Sequence, residues 1–420
     1  MSTESLWALL DPANRADPYP LYARIRAAGP VTLPQGPTTV FASHADCLAV
    51  LRHPASSADR RNSTVWRRRL EQLPAASPGQ RIDYGTPSFL FLDPPDHTRL
   101  RRLVSSAFTP RIINRLRPFL TELIDDLLDG AAARGELELV ADLAYPVPVA
   151  VICRLLGVPL ADQARFRTWS ELLARSLDPL VALTGAEDPE TPTRMQAAEQ
   201  LRHYIQELVA ARRHSPGGDL ITALIRVEES GEGLSEQEII STCVLLLIAG
   251  HETTVNLIAN GALALLREIG QWQALVDDPT RAPKVVEETL RFDPPVHVVG
   301  RVARGGLELP GGARVPDGGY ALLLIAAAGR DPAVLAEPDR FDPDRPEVRN
   351  LAFGMGPHFC LGAPLARLEA QLVLGRLAQR VSSARLAADP PPYKANMALR
   401  GMSALPVHAG PLAPRTVPWV

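Results

Sequence analysis

Phe353-Gly354-Met355-Gly356-Pro357-His358-Phe359-Cys360-Leu361-Gly362 decides how the rest of this chain is read. Gly354 and Gly356 lack a Cβ, so the backbone there turns tightly and lies close under a flat ligand. Gly362 and Pro364 then open an apolar-periodic segment (Leu365, Leu368, Leu372 and Leu377) that predicts a buried helix with proline in its first turn. Cys360 therefore precedes a helix N-terminus, where backbone N–H groups and the helix dipole favour a thiolate. A persistent thiolate suits a metal ligand, whereas a lone cysteine is more often an inert buried one. The pattern around it separates the two.

Phe-Gly-x-Gly-x-His-x-Cys-x-Gly resembles the haem-binding signature of the cytochrome P-450 family, the haem-thiolate monooxygenases, and all six fixed positions match. The resemblance implies a mainly α fold with small β-sheets. It implies one domain over residues 1–420, with haem b between a long central helix and the cysteine-loop helix. Cys360 becomes the axial thiolate on iron, pushing electron density toward O–O cleavage. His358 is expected to hydrogen-bond a haem propionate, and Phe353, Gly354 and Gly362 to contact the cofactor.

Composition agrees. The 420 residues are 46% hydrophobic, ample for a large core, and no linker divides them. Forty prolines predict many helices joined by kinked turns. The net charge of −3 argues against nucleic acid as a partner. The four cysteines (Cys47, Cys153, Cys243, Cys360) stand far apart with no Cys-x-x-Cys pair, which argues against zinc ribbons, iron–sulfur clusters and a disulfide framework. The first residues lack a secretory pattern, and nowhere do eighteen apolar residues run together. A soluble, cytoplasmic, monomeric protein is expected, with no membrane partner.

Asp93-Pro94-Pro95-Asp96-His97-Thr98-Arg99-Leu100-Arg101 starts a helix that puts His97 and Arg101 on one face. By the resemblance both bind haem propionates, a role suited to the arginine fork. Arg301, after the Val296–Val299 segment, is expected to be a further propionate ligand. Periodicity fades from about His53 to Phe91, a stretch readable as a pocket wall or as a surface insertion. The resemblance makes Arg165 to Arg194 a mobile lid.

Leu234 to Ile269 predicts a long helix with Ser235 and Glu238 as its capping box and Gly270 as its C′ residue. Its apolar middle is interrupted by Gly250-His251-Glu252-Thr253-Thr254. A mid-helix glycine beside a carboxylate in apolar surroundings is costly in a plain core helix. The alternative is that Glu252 faces solvent and Thr253 bonds the carbonyl one turn back. Ala249 to Thr254 resembles the family's oxygen-binding groove, which gives Ala249 and Gly250 to the cofactor and lets Gly250 open the helix locally. It makes Thr253 the hydrogen-bonding alcohol for dioxygen and Glu252 the proton relay. No role follows for His251.

Glu288-Thr289-Leu290-Arg291 puts an acid and an arginine on one helix face. In the family, Glu288, Arg291 and Arg340 would form a buried structural network. Gly311-Gly312 and Asp317-Gly318-Gly319 predict hairpin turns. Gly329 stands where relatives commonly carry Asn, a departure expected to touch only a turn.

The function implied is insertion of one oxygen atom from O₂ into a hydrophobic small molecule. Leu245, Ala249, Val296 and Val298 are candidates for the pocket wall. Electrons are expected from a separate ferredoxin and its reductase, drawn to Arg102, Arg367 and Arg376. Competing readings are a cysteine hydrolase using His358 or His251, a haem-binding sensor and a peroxide-driven peroxygenase.

Overall fold

Ser235 caps a 32-residue helix, Glu236–Arg267, by the reciprocal box expected from the sequence. The Glu238 N–H donates to Ser235 Oγ (3.3 Å) and the Ser235 N–H to the Glu238 carboxylate (2.8 Å). From Thr254 to Leu266 every residue is buried, so this central helix is packed on all sides. Helices Pro146–Leu156, Thr191–His214, Ala282–Phe292 and Ala363–Arg380 lie against it. Gly261 permits the closest approach: a Cβ there would lie 3.0 Å from Leu374 and 3.2 Å from Thr289. By length and composition the helix could cross a membrane, but 67% of its most apolar window is buried inside the protein.

This computed structural model describes residues 2–33, 36–64, 66–67, 88–134, 137–175, 189–230 and 233–415. Most of the expected pocket wall (68–87) and the middle of the expected lid (176–188) lie outside the described residues. Gly270 is not the C′ residue of the central helix. The helix is capped at Glu268, and Gly270 falls inside the next helix, Ile269–Asp277, so the chain turns without a left-handed glycine.

Small sheets flank this helical body. The largest orders β1 (Val31–Thr32), β2 (Thr38–Phe41), β8 (Tyr320–Leu324), β5 (Val298–Ala303) and β3 (Ser56–Ser57). A second orders β4 (Leu137–Glu138), β10 (Pro406–Ala409) and β9 (Ala384–Leu386). β6 (Leu307–Glu308) and β7 (Arg314–Val315) form the hairpin expected at Gly311-Gly312, with Gly312 at φ 82°. Asp317-Gly318-Gly319 makes no second hairpin. It leads the chain into β8, which pairs with β2 and β5 instead of β7.

Asp293 ties the N-terminal helix Tyr19–Ala28 to the C-terminal segment. Its carboxylate accepts from Tyr19 Oη (2.5 Å) and Arg400 Nε (2.8 Å), and His297 Nε2 lies 3.4 Å away. Burial, helped by Arg400, holds His297 down to about 4 although Asp293 opposes the shift. His297 is thus neutral in the folded protein, while the unfolded chain takes up a proton below the ordinary value of about 6.5. Its contribution is complete above pH 6.5 and is lost as pH falls from there to 4, at about 1.4 kcal/mol per pH unit. Chemical denaturation at a series of pH values is expected to show His297→Gln with a shallower slope in this window. Parallel curves for the two proteins would contradict it.

Candidate active site

Four successive residues of the central helix point to four different neighbours, as a turn of about 100° per residue requires. Gly250 faces the helix Pro146–Leu156, where a Cβ would meet the Ile152 side chain at 3.2 Å. His251 reaches the helix Gln163–Ala174, with Nε2 2.9 Å from Ser170 Oγ and Nδ1 2.6 Å from Leu247 O. Glu252 is buried, and Lys394 Nζ donates to its carboxylate at 2.6 Å. Thr253 is half-buried on the face it shares with Leu245 and Ala249. Ala249 is exposed although the helix runs through the core, so this face borders open space.

One expectation changes here, the local opening at Gly250. The helix is unbroken through Gly250, and Thr253 Oγ1 donates to Ala249 O (3.0 Å). In this structure the glycine serves helix packing against Ile152. Glu252 does not face solvent, as a plain surface carboxylate would, because a lysine from the C-terminal segment covers it.

The cysteine loop runs as expected into the helix Ala363–Arg380. Gly354 and Gly356 adopt φ of 68° and 72°, the left-handed region that favours glycine. The Cys360 N–H donates to Phe353 O (2.8 Å), which closes the loop. Burial pushes the Cys360 thiol up, while the N–H groups of Gly362 and Ala363 and the guanidinium groups of Arg101 and Arg367 pull it toward the thiolate. Phe359, next in line, is exposed.

His97 and His358 come together with ring centroids 4.1 Å apart. Both His97 ring nitrogens are buried without a hydrogen-bond partner. Arg101 donates to Phe359 O (2.5 Å) and Arg301 to Gly300 O (2.8 Å). Among the described residues neither guanidinium has a carboxylate within salt-bridge distance. Burial, then Arg301, His97 and Arg101, hold His358 down to about 3. Burial and Arg101 lower His97 as well. Four donors converge here with positive charge uncompensated and imidazole nitrogens orphaned. Such a cradle fits the carboxylates of an anionic group, and the left-handed glycines under Cys360 fit a flat one.

Glu288 and Arg291 form the buried pair expected, both fully inaccessible, at 2.7 and 2.8 Å. The third arginine is a correction. Arg345 Nε reaches Glu288 at 3.1 Å, whereas Arg340 supplies only its backbone carbonyl to Arg291 and leaves its side chain largely exposed. Gly329 is more than a turn. Its carbonyl accepts from Arg291 (3.0 Å), and a Cβ there would lie 2.4 Å from Arg291 O. Arg376 also departs from expectation: it is buried against Asp125 at 2.5 Å and cannot meet a partner protein. Lys394 and Arg345 were missed because each reaches the site from a distant loop. Lys394's one signal is rarity, since Lys284 is the only other lysine.

A cytochrome P450 family model matches residues 75–269 and 281–403. The chain belongs to the cytochrome P450 family, whose enzymes are monooxygenases with haem b as prosthetic group. The ligand-free structure of CYP164A2 from Mycobacterium smegmatis is 55% identical, with a TM-score of 0.91 over 97% of this chain and 100% of that one. A vitamin D(3) 25-hydroxylase of Pseudonocardia autotrophica is 39% identical over 94% of each chain. Myxobacterial CYP267B1 in complex with myristic acid is 38% identical, with a TM-score of 0.85 over 95% and 98%.

Proposed function

We propose that the protein inserts one oxygen atom from O₂ into a C–H bond or across a C=C bond of a hydrophobic small molecule, using electrons from a separate ferredoxin and reductase. The observation that carries this is a buried carboxylate, Glu252, next to an alcohol, Thr253, on the open face of the central helix. When bound, haem b with its thiolate supplies the oxygen-activating chemistry, one atom going to substrate and the other leaving as water. The chain's own residues do the rest. Cys360 would hold the iron through its sulfur, its charge supported by the Gly362 and Ala363 N–H groups. His97, Arg101, Arg301 and His358 hold the propionates, the imidazoles as neutral N–H donors. Ala249, Phe353, Gly354 and Gly362 would border the flat group, while Gly250 packs against Ile152. Glu252 would take protons from water and pass them to Thr253 Oγ1 at the open face.

Leu245, Ala249, Val296 and Val298 wall the substrate, with Val296 bridged to Leu399 of the C-terminal segment. The apolar wall and the vitamin D(3) named for one relative support a steroid-, terpenoid- or polyketide-like molecule, and the myristic acid held by another makes a fatty acid the competitor. Arg102 is exposed and suited to draw an acidic ferredoxin, whereas Arg367 is half-buried and already paired with Glu287. All 420 residues act as one cytoplasmic, monomeric catalytic domain in this reading.

A haem-binding sensor is the competing reading, favoured by the unbroken helix in which Thr253 is already bonded to Ala249. Thr253→Ala separates the two. With a substrate found by binding spectra, product per NADPH is expected to fall about tenfold or more while peroxide rises. A parent protein that forms no product and a substitution that changes nothing would favour the sensor.

A further inference from the structure

Glu252, Asn256 and Asn260 stand four apart on one buried stripe of the central helix, and one segment of chain meets all three. Lys394 Nζ donates to Glu252 Oε1 (2.6 Å) and Asn256 Oδ1 (3.3 Å). Gly401 lies so close that a Cβ would sit 1.9 Å from Asn256 Oδ1. Asn260 Nδ2 donates to Arg400 O (3.4 Å) and Asp293 O (3.0 Å). The segment folds back on itself, the Lys394 N–H donating to Gly401 O (3.0 Å) and Tyr393 bridging Met402. At its tip Leu399 bridges Val296 of the substrate wall. One piece of chain therefore touches both the groove acid and the pocket.

Glu252 and Thr253 project about 100° apart around the helix. The carboxylate as seen is turned toward the C-terminal hairpin and off the face that carries Thr253. The Lys394 ammonium contact at 2.6 Å fixes where the carboxylate points. The neighbouring His251 does not compete for this ammonium, because its ring is tied to Ser170 and Leu247. Lys394 retains 22% side-chain exposure, so water reaches the pair from the lysine side.

We propose that Lys394 is a positioning residue for proton delivery: its ammonium holds the Glu252 carboxylate turned to the hairpin, and the carboxylate collects a proton from water on leaving that ammonium and carries it to Thr253. This rests on reading Glu252 as the proton relay. Each proton taken from solvent leaves with the departing oxygen, and Lys394 keeps its own throughout.

The test uses the haem-loaded full chain with a surrogate ferredoxin and reductase and myristic acid as probe. Lys394→Met is expected to raise peroxide released per NADPH about threefold and the solvent deuterium effect on NADPH consumption about twofold, with Lys394→Arg restoring both. A further reading is independent of turnover. Infrared difference spectra against Glu252→Gln, with ¹³C-labelled glutamate, are expected to show the Glu252 carboxyl band displaced in K394M, since the charge-assisted hydrogen bond from Lys394 is gone. Should K394M fail to fold, Lys394→Gln, which keeps a donor for Asn256 without the charge, carries the same readings. Wild-type peroxide, isotope effect and carboxylate band in the lysine variant overturn the proposal. If E252Q uncouples and K394M does not, Lys394 alone is wrong. If E252Q is silent too, the reading of Glu252 as the relay falls with it.

Discussion

Arg291→Ala is expected to leave little folded protein. Both oxygens of the inaccessible Glu288 carboxylate accept from Arg291 (2.7 and 2.8 Å), and Arg345 Nε (3.1 Å) and the Asp342 N–H (2.8 Å) complete its shell. Arg291 also donates to the carbonyls of Gly329, Pro338 and Arg340. Truncation takes the bidentate partner from a buried charge, leaving it Arg345 and one N–H, and strands the Gly329 and Pro338 carbonyls, while the Arg340 carbonyl keeps Arg345. Breaking a buried pair in this way costs about 3–5 kcal/mol, a large share of the roughly 5–15 kcal/mol by which proteins are stable. Arg291→Lys offers a single point donor in place of the planar fork and is expected to rescue poorly. Arg340→Ala should stay within about 0.5 kcal/mol of the parent, because only its backbone serves the network. Soluble yield and denaturant midpoints of the three variants check this. An Arg340→Ala as damaging as Arg291→Ala would restore the arginine assignment made from sequence.

Cys360→Ser should abolish turnover while sparing the fold. The loop-closing bond uses the backbone N–H of residue 360, and the glycine conformations do not depend on the side chain. The propionate cradle proposed for His97, Arg101, Arg301 and His358 is untouched, so haem is expected to be retained at reduced occupancy. A serine hydroxyl, however, is not ionised at neutral pH and cannot replace the thiolate. Haem content, circular dichroism and NADPH-driven product formation measure the three quantities separately. Retained turnover in the serine variant would contradict the assignment of Cys360.

What was legible in the sequence was local. The capping box of Ser235 and Glu238, the glycine loop before Cys360 and the Glu288–Arg291 pair each span a few residues, and each is built as read. The convergence of His97 with His358 was legible only through the family resemblance, since 261 positions separate them (358 minus 97). What could not be read depends on where distant loops land. Lys394 covers Glu252 from 142 positions away, and Arg345 reaches Glu288 from 57. No periodicity encodes either contact. Gly250 and Gly329 show the same limit from the other side. Each looked like a conformational need of its own segment, and each is also a place where a neighbour, Ile152 or the Arg291 carbonyl, comes too close for a side chain.

All of this chemistry presumes that the sulfur of residue 360 binds iron as an anion. The absorption spectrum of the dithionite-reduced protein under carbon monoxide tests that most directly. A strongly red-shifted Soret band, lost in Cys360→Ser, is the predicted result. A band at the position given by imidazole ligation, or a red-shifted band that survives the serine substitution, would contradict it.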